Sequence, residues 1–199
     1  MQADSRPLLL IAFAIAVQAS LLAWVGQPLI CTCGVVRLWV GDVMSAETSQ
    51  QITDWYTPSH IIHGILFYAV LRLVFPRLPL LLALAIALGT EITWELAENS
   101  PKVIARYRQQ ALAQGYSGDS VLNSVCDTLS MSLGFFMARA LPARWTLAFA
   151  VCAEIFTAVM VRDNLTLNVV QLLHPSPAIS AWQAQGGVLG TAVPARPAP

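Results

Sequence analysis

Apolar residues gather into five long runs, at residues 8–25, 59–75, 80–96, 120–141 and 145–161, separated by polar or proline-bearing breaks. A membrane-spanning helix needs about 20 mostly apolar residues, so each run predicts one span. The first run passes through Gln18 and Ser20 into Leu21 without a small-residue cleavage site, which marks a retained helix. Pro76 and Pro79 bracket a very short turn and make the second and third spans an antiparallel hairpin. Trp39, Trp55 and Tyr56, of the kind that settle at a membrane interface, sit in a 26–58 loop. After the fifth span, Asn164, Asn168 and Gln171 recur at i, i+4, i+7 beside an apolar stripe of Leu165, Val169 and Leu172, which predicts an amphipathic surface helix. The expected fold class is all-α: a polytopic transmembrane helical bundle with that surface helix appended. Residues 1–185 form one membrane-embedded domain, and the Gly/Pro/Ala-rich 186–199 segment is expected to be a disordered tail.

Composition supports the same class. Of 199 residues 56% are hydrophobic and 11% charged, against about 25% charged in soluble domains. Eleven Lys and Arg balance eleven Asp and Glu, so no basic stripe exists to neutralise a nucleic-acid backbone and no nucleic-acid partner is expected. With the N-terminus inside, the inner face holds Arg6, Arg72, Arg77, Arg139 and Arg144, while Arg37, Lys102, Arg106, Arg108 and Arg162 lie outside. The inner loops are the short ones, where the positive-inside rule applies best, and the long 26–58 loop carries the acids Asp42, Glu47 and Asp54. The expected location is the bacterial inner membrane, multi-pass.

Alternating topology then places most of the ionisable groups on the outer side. His60 and His63 open the second span, Glu91, Glu95 and Glu98 close the third, and Asp119, Asn123 and Asp127 open the fourth. The three glutamates share one helix face by their i, i+4, i+7 spacing, and so do Asp119, Asn123 and Asp127. The Leu and Ile residues of the third span contribute roughly −2.4 to −4.8 kcal/mol to insertion, whereas two carboxylates at mid-membrane cost about +5 to +7. These groups must therefore face one another, a cation or water. His63, Glu95, Asp127 and Asn123 are the candidate catalytic residues, expected to form one contiguous site. His60, His63, Glu91 and Glu95 are the candidate ligands of a divalent metal, the cofactor such a set could hold. Arg106, Tyr107, Arg162 and Asn164 are the candidate substrate-binding residues, the arginines suiting an anionic lipid head group.

Each reading has a plainer counterpart. The histidines could be interfacial hydrogen-bonding groups, Asp119 an N-cap, Asp127 and Glu91 parts of a structural network, and Glu154 a lone partner for an Arg or His. Cys31 and Cys33 are too closely spaced for an unstrained mutual disulfide and are expected as free thiols or half of a metal site. Cys126 and Cys152 read as packing residues, as do Ser124, Ser130, Ser132 and Gly134, which let the fourth span approach its neighbours closely.

The runs Ile30-Cys-Thr-Cys-Gly34, Asp54-Trp-Tyr-Thr-Pro-Ser-His-Ile-Ile-His-Gly64, Glu95-Leu-Ala-Glu-Asn-Ser-Pro101, Gly118-Asp-Ser-Val-Leu-Asn-Ser124 and Arg162-Asp-Asn-Leu-Thr-Leu-Asn168 resemble a bacterial membrane-protein family, uncharacterised protein family 0314, over about residues 8–182. That pattern carries a His where this chain has Gln51. By spacing alone, the order of His helix, Glu helix and Asp-x-x-x-Asn helix is also similar to VanZ-like proteins. The resemblance implies a membrane protein without an assigned activity. The polar cluster itself suggests acid–base or metal-assisted chemistry on a lipid or lipid-linked substrate, the alternative being a non-catalytic accessory, assembly or lipid-binding subunit that pairs with another membrane protein. A small transporter is disfavoured, because the inner halves of the second and third spans offer only Arg72 as a polar step.

Overall fold

The computed structural model describes residues 5–188. In chain order the helices are α1 (Arg6–Trp24), α2 (Thr57–Val74), α3 (Leu80–Glu98), α4 (Pro101–Tyr107), α5 (Val121–Ala140), α6 (Ala143–Val161), α7 (Leu165–Leu173) and α8 (Pro177–Gln183), with no strand among the described residues. Five of them, α1, α2, α3, α5 and α6, are long and apolar enough to cross a membrane. The expected spans and the amphipathic helix after the fifth are thus present, with boundaries shifted by a few residues. Of the tail expected to be disordered, residues 189–199 lie outside the described residues.

The bundle is apolar outside and divided within. Phe13, Leu73, Leu133, Leu147 and Ile155 are exposed, as a lipid-facing surface requires. One half of the interior is a hydrophobic cluster that includes Ile11, Leu84, Leu88, Met131 and Phe135. The other half is polar, with Gln18, Glu91, Glu95, Ser124 and Thr128 all buried. An unsatisfied polar group in hydrocarbon costs several kcal/mol, so this half is cross-linked. Gln18 donates to the Ser124 carbonyl (3.0 Å) and accepts from the Thr128 hydroxyl (2.7 Å), tying α1 to α5.

Helices α2 and α5 cross at backbone contact. A Cβ on Gly64 would lie 1.9 Å from the Met131 carbonyl oxygen, and one on Gly134 would lie 1.9 Å from that of Ile61. Only glycine permits such an approach, the close-packing device of membrane helices. The crossing also sets the site, because His60 lies one turn before Gly64 and Asp127 one turn before Met131.

The N-termini of α2 and α5 and the C-termini of α3 and α6 gather at one end, where the 26–56 segment, α4, α7 and α8 build a cap. The first-turn N–H groups of α5 have no intrahelical acceptors. The cap supplies them: Val121 donates to Pro28 (2.8 Å) and Leu122 to Leu29 (3.1 Å), while Asn123 donates to the Ser120 hydroxyl (3.1 Å). Ser120, and not Asp119, is therefore the N-cap of α5. Among the described residues, Glu154 has no Arg or His partner of the expected kind. It caps α7, accepting from the backbone of Leu165 (3.0 Å) and Thr166 (3.1 Å), a stabilising place for a carboxylate. Cys31 and Cys33, expected to be too close to pair, are joined by a disulfide. A turn closed by Gly34 N–H donating to the Cys31 carbonyl (2.9 Å), with Gly34 at φ 75°, sets their Cα atoms 5.2 Å apart, within disulfide range.

Candidate functional site

Below the cap, α2, α3 and α5 bring their ionisable side chains together around His60. Its Nδ1 lies 2.7 Å from Glu91 Oε1 and 3.5 Å from Glu95 Oε1, and its Nε2 lies 3.8 Å from Asp127 Oδ2. His63, one turn deeper on the same helix face, places Nδ1 3.1 Å from Glu91 Oε2. Glu91 therefore engages one ring nitrogen of each histidine with a different oxygen. A carboxylate on Nδ1 fixes the proton there and leaves Nε2 free to coordinate or accept. Behind them, the Ser124 hydroxyl donates to Glu95 Oε2. Glu95 Oε1 and Asp127 Oδ1 are buried with no hydrogen-bond partner among the described residues.

Around His60, two sets of donor atoms could hold a cation, each within 4.8 Å of one another: His60, His63 and Glu91, and His60, Glu95 and Asp127. They share His60, which the sequence suggests only as a metal ligand. The geometry makes it the centre. A pocket with about 80 Å³ of enclosed space opens onto His60, His63 and Asp127, while Glu91 and Glu95 stay behind its wall. Residues within 43–49 and 112–117 of the cap, with Tyr107 and Asn168, form part of the remaining walls.

The other expected site residues divide between pocket and scaffold. Tyr107 lines the pocket and donates to Asn168 Oδ1 (3.1 Å). Asn123 is buried and spends its amide on the Gln51 carbonyl (2.8 Å), pinning the cap loop to α5. Gln51 in turn accepts from Arg37 N–H (2.7 Å) and donates to Glu47 (2.9 Å). Arg106 donates to the Leu172 carbonyl (3.2 Å), and Arg162 donates to that of Trp182 (2.7 Å) and lies over its ring. Asn164 caps α7. Arg106, Arg162 and Asn164 hold the cap together away from the pocket, whose described lining contains no Lys or Arg. Sequence reasoning did not single out Trp94, Tyr116 or Asp54 as lining residues, and they reach the pocket only through the folding of the cap.

The carboxylates of the cap are costly to ionise. Burial pushes Asp119 up to about 6, against the hydrogen bonds from Asn99 and Tyr116, and raises Asp54 as well. Burial lifts Asp163 to about 7, although the Tyr56 hydroxyl donates to it at 3.0 Å. Tyr56, Tyr107 and Tyr116 are all held well above the usual phenol range by burial and nearby carboxylates, so they act as neutral donors.

Fold and site together define a multi-pass membrane protein with a capped, carboxylate-rich histidine site at one end. The chain belongs to the family described as "Protein of unknown function (DUF2585)", whose profile matches residues 22–185. It is 54% identical to a UPF0314 protein of Sphingopyxis alaskensis over 89% of this chain and 95% of that one. Against UPF0314 proteins of Paracoccus denitrificans and Rhizobium johnstonii it is 51% identical, over 86% and 87% of its length and 90% and 88% of theirs. No solved structure matches.

Proposed function

We propose that this protein is a membrane-embedded metal-dependent enzyme acting on the head group of a lipid or lipid-linked substrate. The carrying observation is Glu91 holding the Nδ1 atoms of both His60 and His63 while those histidines face the pocket beside Asp127, whose Oδ1 lacks a partner. His60 with the carboxylates of Glu95 and Asp127, whose donor atoms lie within 4.8 Å of one another, while Glu91 orients the His60 ring from Nδ1, is a set that can hold a divalent cation and leave a position open. A cation there gives the buried oxygens of Asp127 and Glu95 the counter-charge that the described lining, without Lys or Arg, does not supply. Bound metal would lower the pKa of a coordinated water and so supply a nucleophile for hydrolysis or transfer. The chain's part is to hold the ligands and exclude bulk water with the cap.

The capped end faces the periplasm and the protein resides in the inner membrane. Arg72, Arg77, Arg139 and Arg144 cluster at the opposite end, consistent with positive-inside insertion, and a disulfide in the cap suits the oxidising side. Elemental analysis of the detergent-purified full chain, grown with zinc and manganese, tests the metal. About one equivalent per chain, lost in His60→Gln and in Asp127→Asn, is expected. Metal-free protein that takes up none on titration, while folded by circular dichroism, overturns the reading.

A further inference from the structure

The pocket floor is a place for a metal, but its walls carry chemistry a metal does not need. Glu98, at the end of α3, lines the pocket beside Tyr107. Around it stand Trp94, Tyr56, Tyr107 and Tyr116. Each tyrosine hydroxyl is engaged by another group of the protein, Tyr56 on Asp163 (3.0 Å), Tyr107 on Asn168 (3.1 Å) and Tyr116 on Asp119 (2.9 Å). Tyr107 and Tyr116 pack edge to face, centroids 5.3 Å apart, which fixes both rings. Asp119 is occupied by Asn99 and Tyr116, and Asp54 by the N–H groups of Ser49 and Tyr56.

An anionic ligand would meet this wall with repulsion, since the described lining holds no Lys or Arg. A carboxylate among aromatic side chains suits an alkylammonium group, which gains from both charge and ring faces. Asp127 Oδ1, buried on the same pocket and unpartnered, is likewise satisfied only by a donor or a cation. We propose that the pocket mouth selects an ammonium-bearing ligand, with Glu98 as counter-ion and Tyr56, Trp94 and Tyr107 as its walls. This rests on the metal-site reading in one respect: in a zwitterionic aminophospholipid the phosphate falls to the metal, and no arginine is required for it.

The test separates the two readings. Full-length protein, with its metal content measured, is placed in nanodiscs of phosphatidylglycerol doped with phosphatidylethanolamine, and lipid enrichment on the protein is read by native mass spectrometry. Enrichment of phosphatidylethanolamine of about tenfold or more, the worth of one charge-assisted hydrogen bond, is expected, with competition by soluble phosphoethanolamine. Glu98→Gln is expected to abolish the enrichment with metal content unchanged, whereas His60→Gln loses metal. Spermidine binding that depends on Glu98, without lipid enrichment, assigns the ammonium to a soluble amine. Equal retention of both lipids with no amine binding, or preference unaltered in a folded Glu98→Gln, overturns the proposal whether or not metal is bound.

Discussion

Glu91 is the residue on which the histidine geometry depends. It is fully buried, and its two oxygens each hold a different imidazole. Replacing it with Gln keeps the shape but leaves one amide nitrogen facing a histidine Nδ1 that itself needs an acceptor. Glu91→Gln should therefore lower metal affinity by about 10–100-fold, the usual cost of losing an orienting carboxylate, with thermal stability changed far less. Titration calorimetry with zinc checks it, and affinity equal to wild type removes Glu91 from the orienting role. Combining Glu91→Gln with His60→Gln should weaken binding by much less than the two single effects together, because Glu91 reaches the cation through the His60 ring.

At the scale of elements, Asp163 ties the end of α6 to its neighbours. It accepts from Tyr56, just before α2, and from Gln183 on α8 (3.1 Å). Its carboxyl titrates near 7 in the folded protein because burial disfavours the charge, against 3.8 when unhindered, and Asp119 near 6 shifts in the same direction. Between about pH 4 and 7 the folded form thus binds more protons than the unfolded chain, so stability falls as pH rises through that window. The unfolding midpoint in detergent should drop from pH 5 to pH 8, and Asp163→Asn should flatten the slope. A midpoint that climbs over that range contradicts the assignment. The spans were legible from sequence because an apolar run of about 20 residues has few other fates. The cap was not: its bonds, such as Ser120 N–H to the Ser49 carbonyl or Asn99 to Asp119, join residues far apart in sequence with no periodic signal. For the same reason the acidic and histidine helices could be placed on one side, while the lead of His60 over His63, and the use of Arg106 and Arg162 in the cap, emerged only from packing.

For the whole molecule, orientation decides which compartment the pocket serves. Ser45 lies in the cap and lines the pocket. A Ser45→Cys variant with the native cysteines replaced should react with a membrane-impermeant maleimide in intact spheroplasts. Reaction only after lysis inverts the topology and moves the site to the cytoplasm. The Gly64–Gly134 crossing has a consequence of its own. Because α2 and α5 touch through backbone, their separation does not depend on side chains that can change rotamer, and the pair should tilt as one strut when the bilayer thins or thickens. His60 and Asp127 ride on that strut one turn from the contact, so their separation should not follow membrane thickness. Metal affinity measured in nanodiscs of 14-carbon and 18-carbon lipids should agree, and a marked difference would show that bilayer strain reaches the site by another route.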